Sequence, residues 1–475
     1  MVKKDTLLNT LLPEWSEDLL PSIQRLVKES KTKVVVLDDD PTGTQTVHNV
    51  PVLTEWSSDA LQAVLSEPEA IVYILTNSRS VSLSVAQAMN REIAIHLKAA
   101  SRTTGRNFVV VSRSDSTLRG HYPSEITALA EALGHPFDGT LIIPCFFEAG
   151  RLTINDIHYV TEGKWLIPAA ETEYARDATF GYTKSNLREW VSEKHQGHIA
   201  PQDVVSIPVT DLRSGGPKAV TALLDRVRGG GVGVVNAATY RDMEVFVAGL
   251  LQAEAAGQRF IYRTAASFVR VRGGVAPRPL LITADLAIAG NQGGLIVAGS
   301  YIKKSTMQLE VAQSLPDVTS LEVSVENLLR TSSSAEEIER ITDLANGSLA
   351  AGKDTLLYTS RDLIIGSDAI TSLQIGQTVS AALVKIVQGI SERPAWIIAK
   401  GGITSSDIAT KGLNLKRAQV VGQAIPGVPI WRTGSESRWP GLIYVVFPGN
   451  VGGPEAIAEM IHILRGEKGH PNEVE

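Results

Sequence analysis

Apolar residues in this chain fall into short unbroken runs, at 34–37, 70–75, 108–111 and 140–144, divided by stretches with helical spacing. Residues 81–99 place Val85, Met89, Ile93 and Leu97 on one helical face, and another helix is expected to begin near Pro123. Continuous apolar strands alternating with amphipathic helices predict a parallel sheet covered on both faces. The runs 204–207, 232–236 and 260–262 read as further strands of the same domain. Residues 1–30, with Leu19, Leu20, Ile23 and Leu26 at helical spacing, predict a helical lead-in packed outside that domain.

In such sheets ligands sit at the carboxyl ends of the strands. Here those ends carry Asp38-Asp39-Asp40-Pro41-Thr42-Gly43-Thr44, Thr76-Asn77-Ser78-Arg79, Ser112-Arg113-Ser114-Asp115-Ser116-Thr117-Leu118-Arg119-Gly120 and Glu148-Ala149-Gly150-Arg151. Consecutive carboxylates repel one another, so arginines, a cation or a ligand hydroxyl should compensate them. One aspartate alone would read as a helix cap, and one arginine alone as a surface ion pair. Four strand ends of the same character point to a site. Guanidinium forks suit a carboxylate or phosphate, while carboxylates and hydroxyls suit sugar hydroxyls, so a small polyhydroxylated acid fits the mixture.

The second half repeats a different junction. Apolar runs at 294–298, 395–399 and 442–447 lead into Gly299-Ser300-Tyr301, Gly401-Gly402-Ile403-Thr404 and Gly449-Asn450-Val451-Gly452-Gly453, each followed by a helix. One such glycine merely makes a turn, but three junctions exposing N–H groups read as a nucleotide domain. None is a Walker A loop, because the lysine-bearing 299–306 segment lacks the second glycine. The glycines at 229–233 precede their strand, which excludes the dinucleotide fingerprint there. Two glycines and two prolines between Arg272 and Pro279 mark the junction of the halves. The expected division is a sugar-acid domain at 1–275, a linker region at 276–289 and a nucleotide domain at 290–475.

Length agrees with two domains, since 475 residues exceed the ~250–300 at which one core stops growing. A formal charge of −6 argues against a dedicated nucleic-acid binder. The single cysteine, Cys145, excludes a disulfide framework and a cysteine metal site. With no long apolar stretch and no signal-like N-terminus, no membrane association and a cytoplasmic location are expected. His48, His121 and His158 lack metal-ligand spacing and read as structural, and no residue is assigned to a metal. Trp396, Trp431 and Trp439 read either as walls of an adenine pocket or as core.

Taken in order, Asp39-Asp40-Pro41-Thr42-Gly43, Thr76-Asn77-Ser78-Arg79, Arg113-Ser114-Asp115-Ser116-Thr117-Leu118-Arg119-Gly120, Gly150-Arg151, Gly401-Gly402-Ile403-Thr404 and Pro448-Gly449-Asn450-Val451-Gly452-Gly453 resemble the four-carbon acid sugar kinase family, from about residue 33 to about residue 462. The resemblance implies an α/β fold of two three-layer domains with largely parallel sheets and an active-site cleft between them. It implies ATP-dependent phosphorylation of a tetronate or related aldonate, such as threonate, erythronate or a 3-oxo-tetronate. The implied partners are ATP with Mg²⁺ and the sugar acid, and a homodimer is one assembly the sequence allows. By match to the motifs, nucleotide contacts fall on Gly299, Ser300, Gly401, Gly402, Ile403, Thr404, Gly449, Asn450 and Gly452. Substrate contacts fall on Ser78, Arg79, Arg113, Ser116 and Arg119, and the catalytic carboxylates are Asp39, Asp40 and Asp115. Either Asp40 or Asp39 is expected to act as general base, with the other carboxylate, together with Asp115, orienting hydroxyls or the Mg²⁺ carried by ATP. Asp38 lies outside the matched motif and is expected to be expendable.

Two positions depart from the family. Many members have glutamate where this chain has Ile403, and Lys-Ser where it has Phe447-Pro448. The altered loops motivate a second reading, a nucleotide-binding sensor of the same fold without the chemistry. A third, a metal-dependent sugar-acid lyase, would act through the aspartates.

Overall fold

The computed structural model describes residues 1–134, 136–288, 290, 292–299, 303–361, 369–449 and 451–467. Two compact units divide the chain, Met1–Pro277 and Arg278–Glu475.

The first unit is built on eight strands: β1 (Lys33–Asp38), β2 (Val50–Leu53), β3 (Ile71–Leu75), β4 (Phe108–Arg113), β5 (Gly139–Ile143), β6 (Val205–Ile207), β7 (Gly231–Val235) and β8 (Phe260–Thr264). They pair in parallel in the order β6-β7-β5-β8-β4-β1-β3-β2. Continuous apolar runs are what such burial demands. Every residue of β1 is buried, including Lys33, whose Nζ donates to the carbonyls of Glu67 (2.9 Å) and Glu69 (2.5 Å). Val35, Leu37, Val72 and Ile74 pack with Leu61, Ile93 and Leu129 from the helices Ser58–Ser66, Leu83–Thr104 and Ser124–Leu133. A second group, Val209–Leu224 and Tyr240–Ala255, packs together.

Register sets the level at which these strands end. Asp38 pairs with Leu75 on one side and Arg113 on the other, Arg113 with Thr264, and Thr264 with Ile143. The polar clusters that follow therefore leave the sheet along one edge.

Elsewhere the unit differs from expectation. The lead-in is broken: Val2–Lys3 is a strand, Lys4–Leu8 a short helix, and only Leu20–Ser30 a longer one. Pro13 and the polar run after it interrupt the helical pattern. Val2–Lys3 joins Trp165–Pro168, Ile157–Glu162 and Arg151–Ile154 in a small antiparallel sheet with no counterpart in the apolar runs.

The second unit holds β9 (Leu295–Ala298), β10 (Val318–Val323), β11 (Asp354–Thr359), β12 (Trp396–Lys400), β13 (Arg417–Ile425), β14 (Val428–Thr433) and β15 (Ile443–Phe447), in the order β13-β14-β15-β12-β9-β11-β10. The β13–β14 and β14–β15 pairs are antiparallel and the rest parallel. The three strands read from sequence, β9, β12 and β15, lie side by side in the middle of this order. Residues 276–289 are more than a connector, since they contain the helix Thr283–Leu286, and the buried Leu281 donates its N–H to Gln423 O at 2.7 Å. Among the described residues no helix is long and apolar enough to cross a membrane.

Candidate functional site

Where β1 ends, each aspartate meets a different environment. Asp38, 2% exposed, accepts a hydrogen bond from Arg113 Nη1 at 3.2 Å. Its carbonyl receives Thr76 N–H (2.9 Å), Thr76 Oγ1 (2.9 Å) and Asn77 N–H (3.3 Å), which ties β1 to the loop after β3. Any Cβ on Gly43 would lie 1.8 Å from Asp38 Oδ2, so the turn must place a glycine there. Asp40 caps the turn Pro41–Thr44: its Oδ1 accepts from Thr42 N–H (2.9 Å) and Thr42 Oγ1 (2.6 Å), and its Oδ2 from Arg79 Nη2 (2.5 Å). Asp39 accepts from Ser114 Oγ on Oδ2. Its Oδ1 is buried and has no hydrogen-bond partner among the described residues.

Arg79, carried just beyond β3, is the hub. Besides Asp40, its guanidinium lies 3.9 Å from Asp39 and 3.6 Å from Asp115. Asp115 in turn accepts from Arg119 Nε at 2.6 Å and from Thr117 Oγ1. Arg119 extends outward to Asp177 (3.5 Å) and over the ring of Tyr174, 5.2 Å from its centroid; Arg151 lies over the same ring at 5.9 Å.

Arg263, near the end of β8, belongs to this cluster and went unnoticed in the sequence. It donates to Ser112 Oγ (3.0 Å) and Arg119 O (3.4 Å) and pairs with Glu125 (3.4 Å). The run 260–262 reads as a plain strand because no polar cluster follows it; a strand-end arginine in the same parallel sheet is the signal that could have found it. Gly120 shows how tightly these groups meet. Its φ is +125°, and a Cβ there would lie 2.5 Å from Arg263 Nη2, 2.7 Å from Ser114 Oγ and 3.2 Å from Asp39 Oδ2.

Ser78 and Ser116 are buried beside these groups, Ser78 in the turn after β3 and Ser116 in the loop after β4. Ser116 O lies 2.7 Å from His158 Nε2, whose Nδ1 is 2.9 Å from Thr153 Oγ1. Burial pushes this imidazole down to about 4, so it serves as a neutral pin under the loop. His121 and His48 likewise bond backbone carbonyls, Val81 O and Ala276 O, both at 3.1 Å. Cys145 is buried, and burial pushes its thiol up to about 12.

Electrostatics divides the four carboxylates into pairs. Burial raises Asp38 to about 7 despite Arg113, and raises Asp39 despite Arg79 and Arg263. For Asp40 burial is outweighed by Arg79 and the two bonds from Thr42, and for Asp115 by the charges of Arg119 and Arg79 and the bonds from Arg119 and Thr117; both lie below the ordinary value. Carboxyls whose environments drive them apart are suited to different tasks.

In the second unit Gly299 follows β9, where a Cβ would stand 2.9 Å from Thr404 Oγ1. Gly401 has φ +102° and donates its N–H to Phe447 O at 2.8 Å, bridging the ends of β12 and β15. Gly402 and Thr404 lie in the short helix Gly402–Asp407, with Ile403 58% exposed where a family glutamate would stand. Past β15, Gly449 O lies 3.4 Å from Lys400 Nζ, and Gly452 has φ +83°. Ser300 and Asn450 lie outside the described residues. Lys400 closes β12, fully buried, and donates from Nζ to Pro448 O at 2.7 Å with its ammonium 4.3 Å from the centre of the Phe447 ring. Burial, followed by the nearby Lys304 charge, pushes it down to about 7. Trp396, Trp431 and Trp439 are all buried, and Trp396 belongs to the unit's hydrophobic core.

Two family descriptions match the chain: a sugar-binding N-terminal domain over residues 34–272 and a nucleotide-binding C-terminal domain over residues 295–457. The chain belongs to the four-carbon acid sugar kinase family. A family relative, the D-erythronate kinase of Heliobacterium modesticaldum, is 24% identical over 403 residues, 82% of each chain. Two solved structures share the fold of the family: a Haemophilus influenzae protein (TM-score 0.61, 16% identity, 90% of this chain and 100% of that one) and a Salmonella typhimurium protein that carries a tRNA synthase label (TM-score 0.65, 17% identity, 90% and 98%). At such identities the likeness speaks for the fold alone.

Proposed function

We propose that this protein is an ATP-dependent kinase that phosphorylates a hydroxyl of a small sugar acid, most simply a four-carbon one, in carbohydrate-acid catabolism. The observation that carries the reading is the strand-end cluster of the first unit, where Asp39 Oδ1 has no hydrogen-bond partner among the described residues and lies 3.9 Å from the Arg79 guanidinium. Phosphoryl transfer asks a protein for positioning and charge stabilisation, and MgATP enters as a substrate. The acceptor hydroxyl attacks the γ-phosphorus, ADP leaves, and the hydroxyl proton passes to a carboxylate.

Asp39 is the better base of the two expected. Both oxygens of Asp40 are occupied, by Thr42 and by Arg79, and its carboxyl is held below the ordinary value; it fixes Arg79. Asp39 has both an oxygen free of hydrogen bonds among the described residues and the raised affinity for a proton that a base needs. Arg79 and Arg119, with side chains 18% and 26% exposed, are placed to hold the substrate carboxylate, whereas Arg113 at 4% is engaged with Asp38 and supports the others. The second unit takes the nucleotide on its glycine junctions.

The test compares Asp39→Asn with wild type in ADP release and in ADP affinity. Asp39→Asn is expected to lower turnover by roughly 10³-fold, within the range for a general base, with ADP affinity unchanged. A variant that retains more than about a tenth of wild-type turnover removes Asp39 from the role.

A further inference from the structure

Every buried arginine of the first unit described above has a carboxylate at hand: Arg113 has Asp38 (3.2 Å) and Arg263 has Glu125 (3.4 Å). The same holds for Arg213 with Asp242 (2.7 Å) and Arg272 with Glu254 (2.6 Å). Lys400 in the second unit is different. It is 0% exposed, yet among the described residues its ammonium meets only two backbone carbonyls, Pro448 O at 2.7 Å and Gly449 O at 3.4 Å, and the face of Phe447. No carboxylate stands within ion-pair distance of it among those residues, and the neighbouring charge it feels is a second cation, Lys304. A buried cation without an anion is costly, and an anion brought by a ligand would relieve that cost.

The position of Lys400 says where such an anion would sit. Parallel register sets it opposite Phe447, so its stem rises between the ends of β12 and β15, at the root of both glycine segments, 401–404 and 449–453. Gly401 N–H bonds Phe447 O (2.8 Å) beside it, and Gln308 Nε2 holds the far side of the loop through Val451 O (3.0 Å) and Gly453 O (2.9 Å). The loop after β15 is thus fixed at both ends by side-chain donors, one of them charged.

We infer that Lys400 is the positioning residue of the nucleotide's phosphate chain: it shapes the 448–449 backbone and lends its charge to phosphates bound there. This rests on the kinase reading and names a residue for the nucleotide half of it. A purely structural lysine would serve only the two carbonyls, and its loss would weaken the fold without regard to the ligand's charge.

The two roles separate in the full-length protein by titrating ADP with Mg²⁺, and adenosine by displacement, against wild type and Lys400→Met. The expected result is a loss of at least fivefold in ADP affinity, a change below twofold for adenosine, and a ligand-free Tm no lower than wild type, because the unpaired buried charge has gone. An ADP affinity that falls less than fivefold, an equal loss for adenosine, or a variant that melts earlier or fails to fold overturns the inference. Wild-type protein that binds neither ligand defeats the kinase reading itself, whereas normal wild-type binding with an unaffected variant defeats only the role of Lys400.

Discussion

At the scale of single residues, three adjacent aspartates have three occupations. Asp38 is the one the sequence marks as expendable, because a motif says nothing about which carboxylate faces the core; the structure pairs it with Arg113 and leaves it 2% exposed. Replacing it by alanine strands a buried guanidinium, and a loss of about 3–5 kcal/mol is expected in urea melts. Its proton adds a second prediction. A carboxyl raised from 3.8 to about 7 makes the folded state bind more protons than the unfolded one between those values, so its stabilising contribution is present at acid pH and lost as pH rises through about 7. Tm measured from pH 5 to pH 8 should therefore fall less in Asp38→Asn than in wild type; equal slopes would refute this assignment. Asp39 and Asp40 were legible as a pair of candidates. Their separation depends on which oxygens Thr42, Ser114 and Arg79 occupy, and the last two come from segments far away in the chain.

Among the elements, β1 and β3 to β8 of the first unit and β9, β12 and β15 of the second were readable because burial on both faces leaves such strands largely apolar. Strands with one exposed face hid. β10 contains Thr319, Ser320 and Glu322, and β13 alternates half-buried and buried positions through Val420 and Gly422, so neither shows a continuous run. Arg151–Ile154 and its antiparallel neighbours are short and carry Thr153 and His158 inward, where sequence offers no apolar signal. The loop after β4 was legible as chemistry but not as geometry. Gly120 is its tightest point, and Gly120→Ala should cut turnover by about 100-fold or more by forcing apart Arg263, Ser114 and Asp39, because misplacement on the scale of an ångström carries that cost. Gly105 is the control: its φ is also positive, at +67°, but nothing lies within 4 Å of an added Cβ. Gly105→Ala should cost about 1–2 kcal/mol of stability at unchanged turnover, and comparable losses of activity in the two variants would contradict the crowding argument.

For the whole molecule, the two units carry opposite kinds of surface chemistry at their strand ends. In the first, Asp38, Asp39, Asp40, Asp115 and Glu125 meet Arg79, Arg113, Arg119 and Arg263 within one cluster, and burial raises Asp38 and Asp39 while Asp40 and Asp115 stay below the ordinary value. In the second, a buried lysine and glycine junctions replace that cluster. The proposed division is sugar acid in the first and nucleotide in the second. The most direct test is a coupled ADP-release assay with MgATP over a panel of four- to six-carbon sugar acids. Acid-dependent ADP release, strongest with a four-carbon acid and lost in Asp39→Asn, is the predicted result. No ADP release with any acid, or consumption of a sugar acid without ATP, would contradict it.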